Sequence, residues 1–217
     1  MPNHVTHRVR LHGSEEDCKR FYEQFFRDGG FDFETVLPQP ECVKRTQSGS
    51  QASVWFFALT GTFLPSECRN GMPTLHQWGW VPRHLKTAVD VEKWLTEKDP
   101  KGRVFGEYAI QCLRETGFES WYQWCKHYWG TKSNAYQTEV VSPSEFVFQT
   151  AWSPPIPVLA EMAKRMPGII LDVCSYDEGD NFACVGQFNG RNDYRKVPCS
   201  EALYEQVYGE KRPEPEE

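Results

Sequence analysis

The 217-residue chain has no C-x-x-C pair among its eight cysteines, no H-E-x-x-H, no G-x-S-x-G, no Walker loop and no G-x-G-x-x-G. Structural zinc, a disulfide framework and the common hydrolase, metalloprotease and nucleotide-cleaving mechanisms therefore have no support, and no catalytic residue, metal ligand or cofactor is assigned. Scattered cysteines read as free thiols of a reducing cytosol. No apolar run approaches the ~20 residues that span a bilayer. Met1-Pro2-Asn3-His4 also lacks the basic-then-apolar order of a signal peptide, so no membrane contact and a cytoplasmic location are expected. Cations are short, with 24 Lys and Arg against 30 Asp and Glu and a formal charge of -6. Such a surface repels phosphate backbones, and no non-specific DNA binding is expected.

What is abundant is aromatic: 14% of residues, with eight tryptophans. Rings must fill much of the buried volume. The stretch His4 to His12 alternates, Val5, His7, Val9 and Leu11 on one face and Thr6, Arg8 and Arg10 on the other, which predicts a half-buried strand. Ser14, with Asp17 three positions on, offers an N-cap for a helix running to Arg27, with Cys18, Phe21, Tyr22, Phe25 and Phe26 at helical spacing and Gly29-Gly30 as its stop. Phe31 to Val36 reads as a short strand closed by Leu37-Pro38-Gln39-Pro40. Residues 44 to 53 are polar and Gly/Ser-rich and read as a loop, and 64 to 82 as irregular. Helical spacing predicts Ala88 to Lys98, Arg103 to Thr116 and Phe118 to His127.

From residue 133 strands return. Asn134 to Val141 and Glu145 to Trp152 form a hairpin, Ile156 to Met166 a helix, and Ile169 to Tyr176 with Phe182 to Phe188 a second hairpin. The implied class is α+β: a ferredoxin-like antiparallel sheet with two helices on one face and a mostly helical insertion. The expected division is 1 to 40 and 131 to 208 for the two halves of the ferredoxin-like domain, 41 to 130 for the insertion, and a disordered acidic tail at 209 to 217.

Four motifs in order, Met1-Pro2-Asn3-His4-Val5-Thr6, Leu37-Pro38-Gln39-Pro40, Tyr128 to Ala135 and Trp152-Ser153-Pro154-Pro155, resemble the YubB-like family of plasmid and phage proteins. The resemblance implies a ferredoxin-like domain, no established activity, and a mobile genetic element in a bacterial host, with the cytosol of that host as location. It departs from the family at Ser133, where a tryptophan is usual.

Individual residues weigh as follows. Met1-Pro2 could yield an N-terminal proline base after processing. His4 and His7 point to opposite faces, and Cys125 and His127 lie about 200° apart on a helix, so neither pair is a metal or catalytic couple. Cys174 and Cys184 would face each other across the last hairpin if its turn centres on Gly179. Asp177, Glu178 and Asp180 read as a solvated acidic turn. Phe146, Phe148 and Trp152 could form an RNA-stacking row. The densest polar-aromatic feature is Trp129-Gly130-Thr131-Lys132-Ser133-Asn134. Trp129, Thr131, Lys132 and Asn134, with Trp152, Arg8 and Arg10, are the candidate ligand residues for a nucleotide or small anion. Four functions stay open: a non-enzymatic protein of a plasmid or phage acting on a host protein in counter-defence or establishment, a nucleotide or small-anion sequestering protein, an RNA-binding module, and an N-terminal-proline enzyme.

Overall fold

The computed structural model describes residues 3–71 and 73–213. The N-terminal proline base and the end of the acidic tail lie outside the described residues. The chain divides into two compact units, one comprising the stretch up to Pro38 together with that from Cys125 onward, the other Gln39–Trp124.

In the first unit, β1 (His4–His12) leads into α1 (Glu15–Phe25), a two-strand ribbon of β2 (Phe26–Arg27) and β3 (Gly30–Phe31), and the single turn α2 (Phe33–Val36). Ser14 caps α1 by accepting from the Asp17 amide, as its sequence predicts. The helix stops earlier than its apolar spacing suggests, because Phe26 leaves to pair with Phe31 around Asp28-Gly29, both at positive φ. The expected strand at 31 to 36 is likewise a turn of helix: Asp32 accepts from the Glu34 amide and nucleates it.

The second unit holds α3 (Glu41–Lys44), α4 (Ser50–Thr60), α5 (Ala88–Lys98) and α6 (Arg103–Thr116), and α7 (Trp121–Tyr128) spans the division. The helices α5 and α6 begin and end where their spacing places them. By contrast, α4 occupies part of the expected loop. Seven successive residues, Ala52 to Ala58, are buried in it, so no polar face marks its period. Gly106 of α6 lets the backbones meet, since a Cβ there would come within 2.8 Å of the Trp55 Cβ.

The first unit resumes with β4 (Tyr136–Ser142), β5 (Glu145–Ala151), α8 (Ile156–Arg165), β6 (Ile170–Asp177), β7 (Ala183–Phe188), β8 (Arg195–Val197) and α9 (Glu201–Tyr208). The sheet order is β4-β5-β1-β6-β7-β8, every pair antiparallel. The first four strands, read as β4-β5-β1-β6, have the ferredoxin-like order, and β7 and β8 extend one edge. On one face Phe21 of α1 packs by Phe25 and Phe146, Phe31 meets Phe146, and α8 buries Val158, Leu159, Met162 and Ala163. Phe146 and Phe148 are fully buried there, so they offer no platform for stacked RNA bases.

The opposite face carries a helix that the sequence reading lacks. Leu203 and Val207 of α9 pack on Cys174, Tyr176 and Ala183. Ser200 caps this helix through the Leu203 amide and Gly209 ends it at φ 80°. The chain beyond is held as far as it is described, because Arg212 pairs with Asp180 and donates to the Tyr176 hydroxyl. The acidic turn is solvated at Glu178 and Asp180 and closed at its base. Asp177 is buried and accepts from the Gly179 and Asn181 amides and the Asn181 side chain. Nor do the two cysteines meet. Cys174 stands opposite Val185, and Cys184 opposite Ser175, a one-residue offset that puts the thiols on opposite faces.

Candidate functional site

The seven candidate residues fall into three groups. Trp129, Thr131 and Asn134 are structural fasteners. The Trp129 indole N–H donates to the Leu37 carbonyl at 2.8 Å and its ring meets Phe33 edge-on at 5.6 Å. Thr131, fully buried, donates to the Ala151 carbonyl. Asn134 accepts from the Phe33 amide and donates to Asp32 at 2.7 Å, pinning α2.

Arg8 and Arg10 lie on the α9 face. Arg8 donates to the Val207 carbonyl at the end of α9 and to Glu145, and Arg10 reaches the same carboxylate at 3.0 Å. Burial alone raises the Glu145 carboxyl, and the two guanidiniums outweigh it and hold the group below its ordinary range. These arginines are engaged with each other's counter-ion, away from the tryptophans.

Trp152 and Lys132 form the third group, at the end of β5. The Lys132 Nζ lies 4.1 Å from the centre of the Trp152 ring, a cation–π contact. Trp152 is 47% exposed and sits at φ 70°, left-handed backbone that a bulky aromatic rarely adopts. Its amide donates to the Asn3 carbonyl at 3.0 Å, which fixes the turn. Backbone strain of this kind costs about 1 to 3 kcal/mol and persists only where the surrounding turn holds it.

Trp152 walls a cavity of about 220 Å³ whose other lining residues are Ser153, Pro154, Ile156, Phe182, Cys184, Tyr194, Arg195 and Lys196. Arg195 and Lys196, on β8, are exposed and bring positive charge to it, and the Lys196 Nζ stands 5.4 Å from the Phe182 ring. Ile156 opens α8, and its amide is spent on the Pro154 carbonyl at 3.0 Å, so the side chain is what it brings to the wall. The floor is neutral: burial raises both the Cys184 thiol and the Tyr194 hydroxyl.

Beneath the cavity runs a chain of buried polar groups. The Tyr194 hydroxyl donates to Ser175 Oγ at 2.6 Å. Ser175 Oγ lies 2.6 Å from His7 Nδ1, His7 Nε2 lies 2.7 Å from Thr150 Oγ1, and Thr150 donates to the Ser153 carbonyl at 2.8 Å. His7, Ser175 and Thr150 are wholly buried. Burial lowers the His7 imidazole to about 3, so it is neutral near pH 7.

Sequence reasoning missed Arg195 and Lys196, and Tyr194 just before them, because β8 is three residues long and carries no apolar alternation of its own. The available signal was His7 itself, a polar ring within an apolar stripe that must find buried partners.

Residues 126–206 match the family model described as a ferredoxin-like domain in Api92-like protein. No curated protein matches the chain. Among solved structures, the crystal structure of protein api92 from Yersinia pseudotuberculosis is similar over 92% of this chain and 99% of that one, at 7% identity and a TM-score of 0.44. No helix among the described residues is long and apolar enough to cross a membrane, and no group of three His, Cys, Asp or Glu side chains there could hold a metal. The family model and the strand order agree on a ferredoxin-like domain, and the likeness to Api92-like proteins rests on the matched stretch, 126 to 206.

Proposed function

We propose that this protein is a non-enzymatic binder of a small planar anion, a nucleotide or an aromatic carboxylate, held in the cavity beside Trp152. The observation that carries the reading is the strained, exposed Trp152 at the mouth of an apolar cavity that Arg195 and Lys196 make positive. Rings supply stacking, cations supply a charge partner, and burial raises the Cys184 thiol and the Tyr194 hydroxyl, which keeps both protonated. Calorimetric titration with adenosine monophosphate and with indole-5-carboxylate tests it. Binding of at least one, weakened roughly tenfold in Lys196→Ala, is expected, and heat of dilution alone for both would remove the reading.

A second reading, an encounter with a host protein, is favoured by the edge strand β4, where Val140 and Val141 are 48% and 44% exposed. The YubB-like resemblance supplies its setting, a plasmid or phage product in a bacterial cytosol that serves counter-defence or establishment. A pulldown from host lysate in which Val140→Lys releases one stoichiometric partner would favour it over the cavity.

A further inference from the structure

The direction of every proton in the buried chain follows from its last member. The Ser153 carbonyl only accepts, so Thr150 spends its hydroxyl proton there. Thr150 Oγ1 must then accept from His7, which puts the imidazole proton on Nε2. A neutral ring with Nε2 protonated has Nδ1 as an acceptor, and Ser175 donates to it. Ser175 has no second proton, so Tyr194 donates to Ser175.

The consequence reaches the cavity. Tyr194 lines it with its proton committed inward, and its oxygen keeps only lone pairs for a ligand. Ser153 lines it too, and its hydroxyl proton is committed to the Gly130 carbonyl at 2.7 Å. Cys184 is hydrogen-bonded to Tyr194, whose own proton goes to Ser175, so the thiol proton points at the Tyr194 oxygen, offers the cavity no free donor and leaves that oxygen one lone pair. The neutral hydroxyls around the cavity therefore accept and do not donate, and strong side-chain donors come only from the cations.

We propose that Tyr194 and Ser153 determine specificity by this polarity. The cavity selects a planar anion whose edge remote from the charge carries an N–H or O–H donor, and Thr150 and His7 act as positioning residues that hold Tyr194 in the accepting state. The inference rests on the cavity being the ligand site.

The test uses two probes of equal size and charge, indole-5-carboxylate and benzofuran-5-carboxylate, which differ by an N–H against a ring oxygen. The intact protein should bind the indole roughly tenfold more tightly. Tyr194→Phe should bring that ratio to about one. Thr150→Val does not line the cavity, yet it removes the acceptor for Nε2–H. The His7 proton then moves to Nδ1, Ser175 turns to donate to Tyr194, and the tyrosine proton becomes free for the cavity. The ratio should fall to one or below, and the His7 ¹⁵N shifts should exchange their protonated and unprotonated positions. Equal affinity of the intact protein for both probes would overturn the donor rule while leaving the site standing. So would a wild-type ratio in Thr150→Val with the tautomer exchanged. If neither probe binds, the donor rule fails, and the site fails with it when adenosine monophosphate also gives heat of dilution alone.

Discussion

The two faces of the sheet satisfy their polar groups in opposite ways. Under α1 and α8 the polar residues His7, Thr150 and Ser175 are neutral, wholly buried and linked in one chain, among Phe146, Phe148 and Val173. Under α9, Arg8, Arg10 and Glu145 are charged and share bonds around one carboxylate. The neutral chain draws on β5, β1 and β6 and the charged cluster on β5 and β1, and along β1 they alternate, His7 facing one way and Arg8 and Arg10 the other. A face sealed on both sides by rings cannot hold a charge without a large desolvation cost, so it fixes protons. A face bordered by water can hold charges, and it fixes little beyond helix position.

The largest effect should come from opening the sealed face. Phe146→Ala removes a fully buried ring that meets Phe21, Phe26, Phe31 and Phe148, and should cost about 3 to 5 kcal/mol in chemical denaturation. Next comes acid. His7 has a folded pKa of about 3, below its unfolded value of 6.5, so the unfolded chain binds the extra proton between those values. This contribution is complete above pH 6.5 and is lost as pH falls toward 3, at about 1.4 kcal/mol per unit. Denaturation midpoints followed from pH 7 to pH 4.5 should show that slope in the parent and lose it in His7→Gln.

Smaller effects sharpen the contrast at the cavity and the charged face. Trp152→Gly relieves left-handed backbone while losing a side chain that is 47% exposed. The melting temperature should hold or rise, by an amount equivalent to about 1 kcal/mol, while binding of indole-5-carboxylate is lost. Glu145→Gln should cost about 1 kcal/mol or less, and the loss should shrink in high salt, because Arg10 is partly solvated. A Glu145→Gln effect as large as that of Phe146→Ala would erase the distinction between the faces.

Much of the frame was legible because it is periodic. The strand His4–His12 shows strict alternation, α1 begins at a serine cap, and Pro154 to Pro157 announces α8. Two elements hid for physical reasons. α4 is buried all round and so lacks a polar stripe, and α9 is eight residues long with only Leu203 and Val207 to mark its inner side. Of the seven candidate residues only Trp152 lines the cavity. Lys132 and Trp152 stand together as their chemistry suggests, whereas Trp129, Thr131 and Asn134 spend their polar atoms on Leu37, Ala151, Asp32 and the Phe33 amide. Arg8 and Arg10 were assigned to that site although alternation with Val9 puts them on the other face, a point that depends only on register. Tyr194 and Ser175 could not be joined to His7 from sequence, because the contacts span 168 residues in one case and close through a third strand in the other.

The most direct test is to assign the tryptophan indole N–H signals by NMR and titrate a planar carboxylate. The Trp152 signal should move and saturate while that of Trp129, bonded to Leu37, stays in place. A static Trp152 with shifts confined to residues away from β7 and β8 would contradict the account.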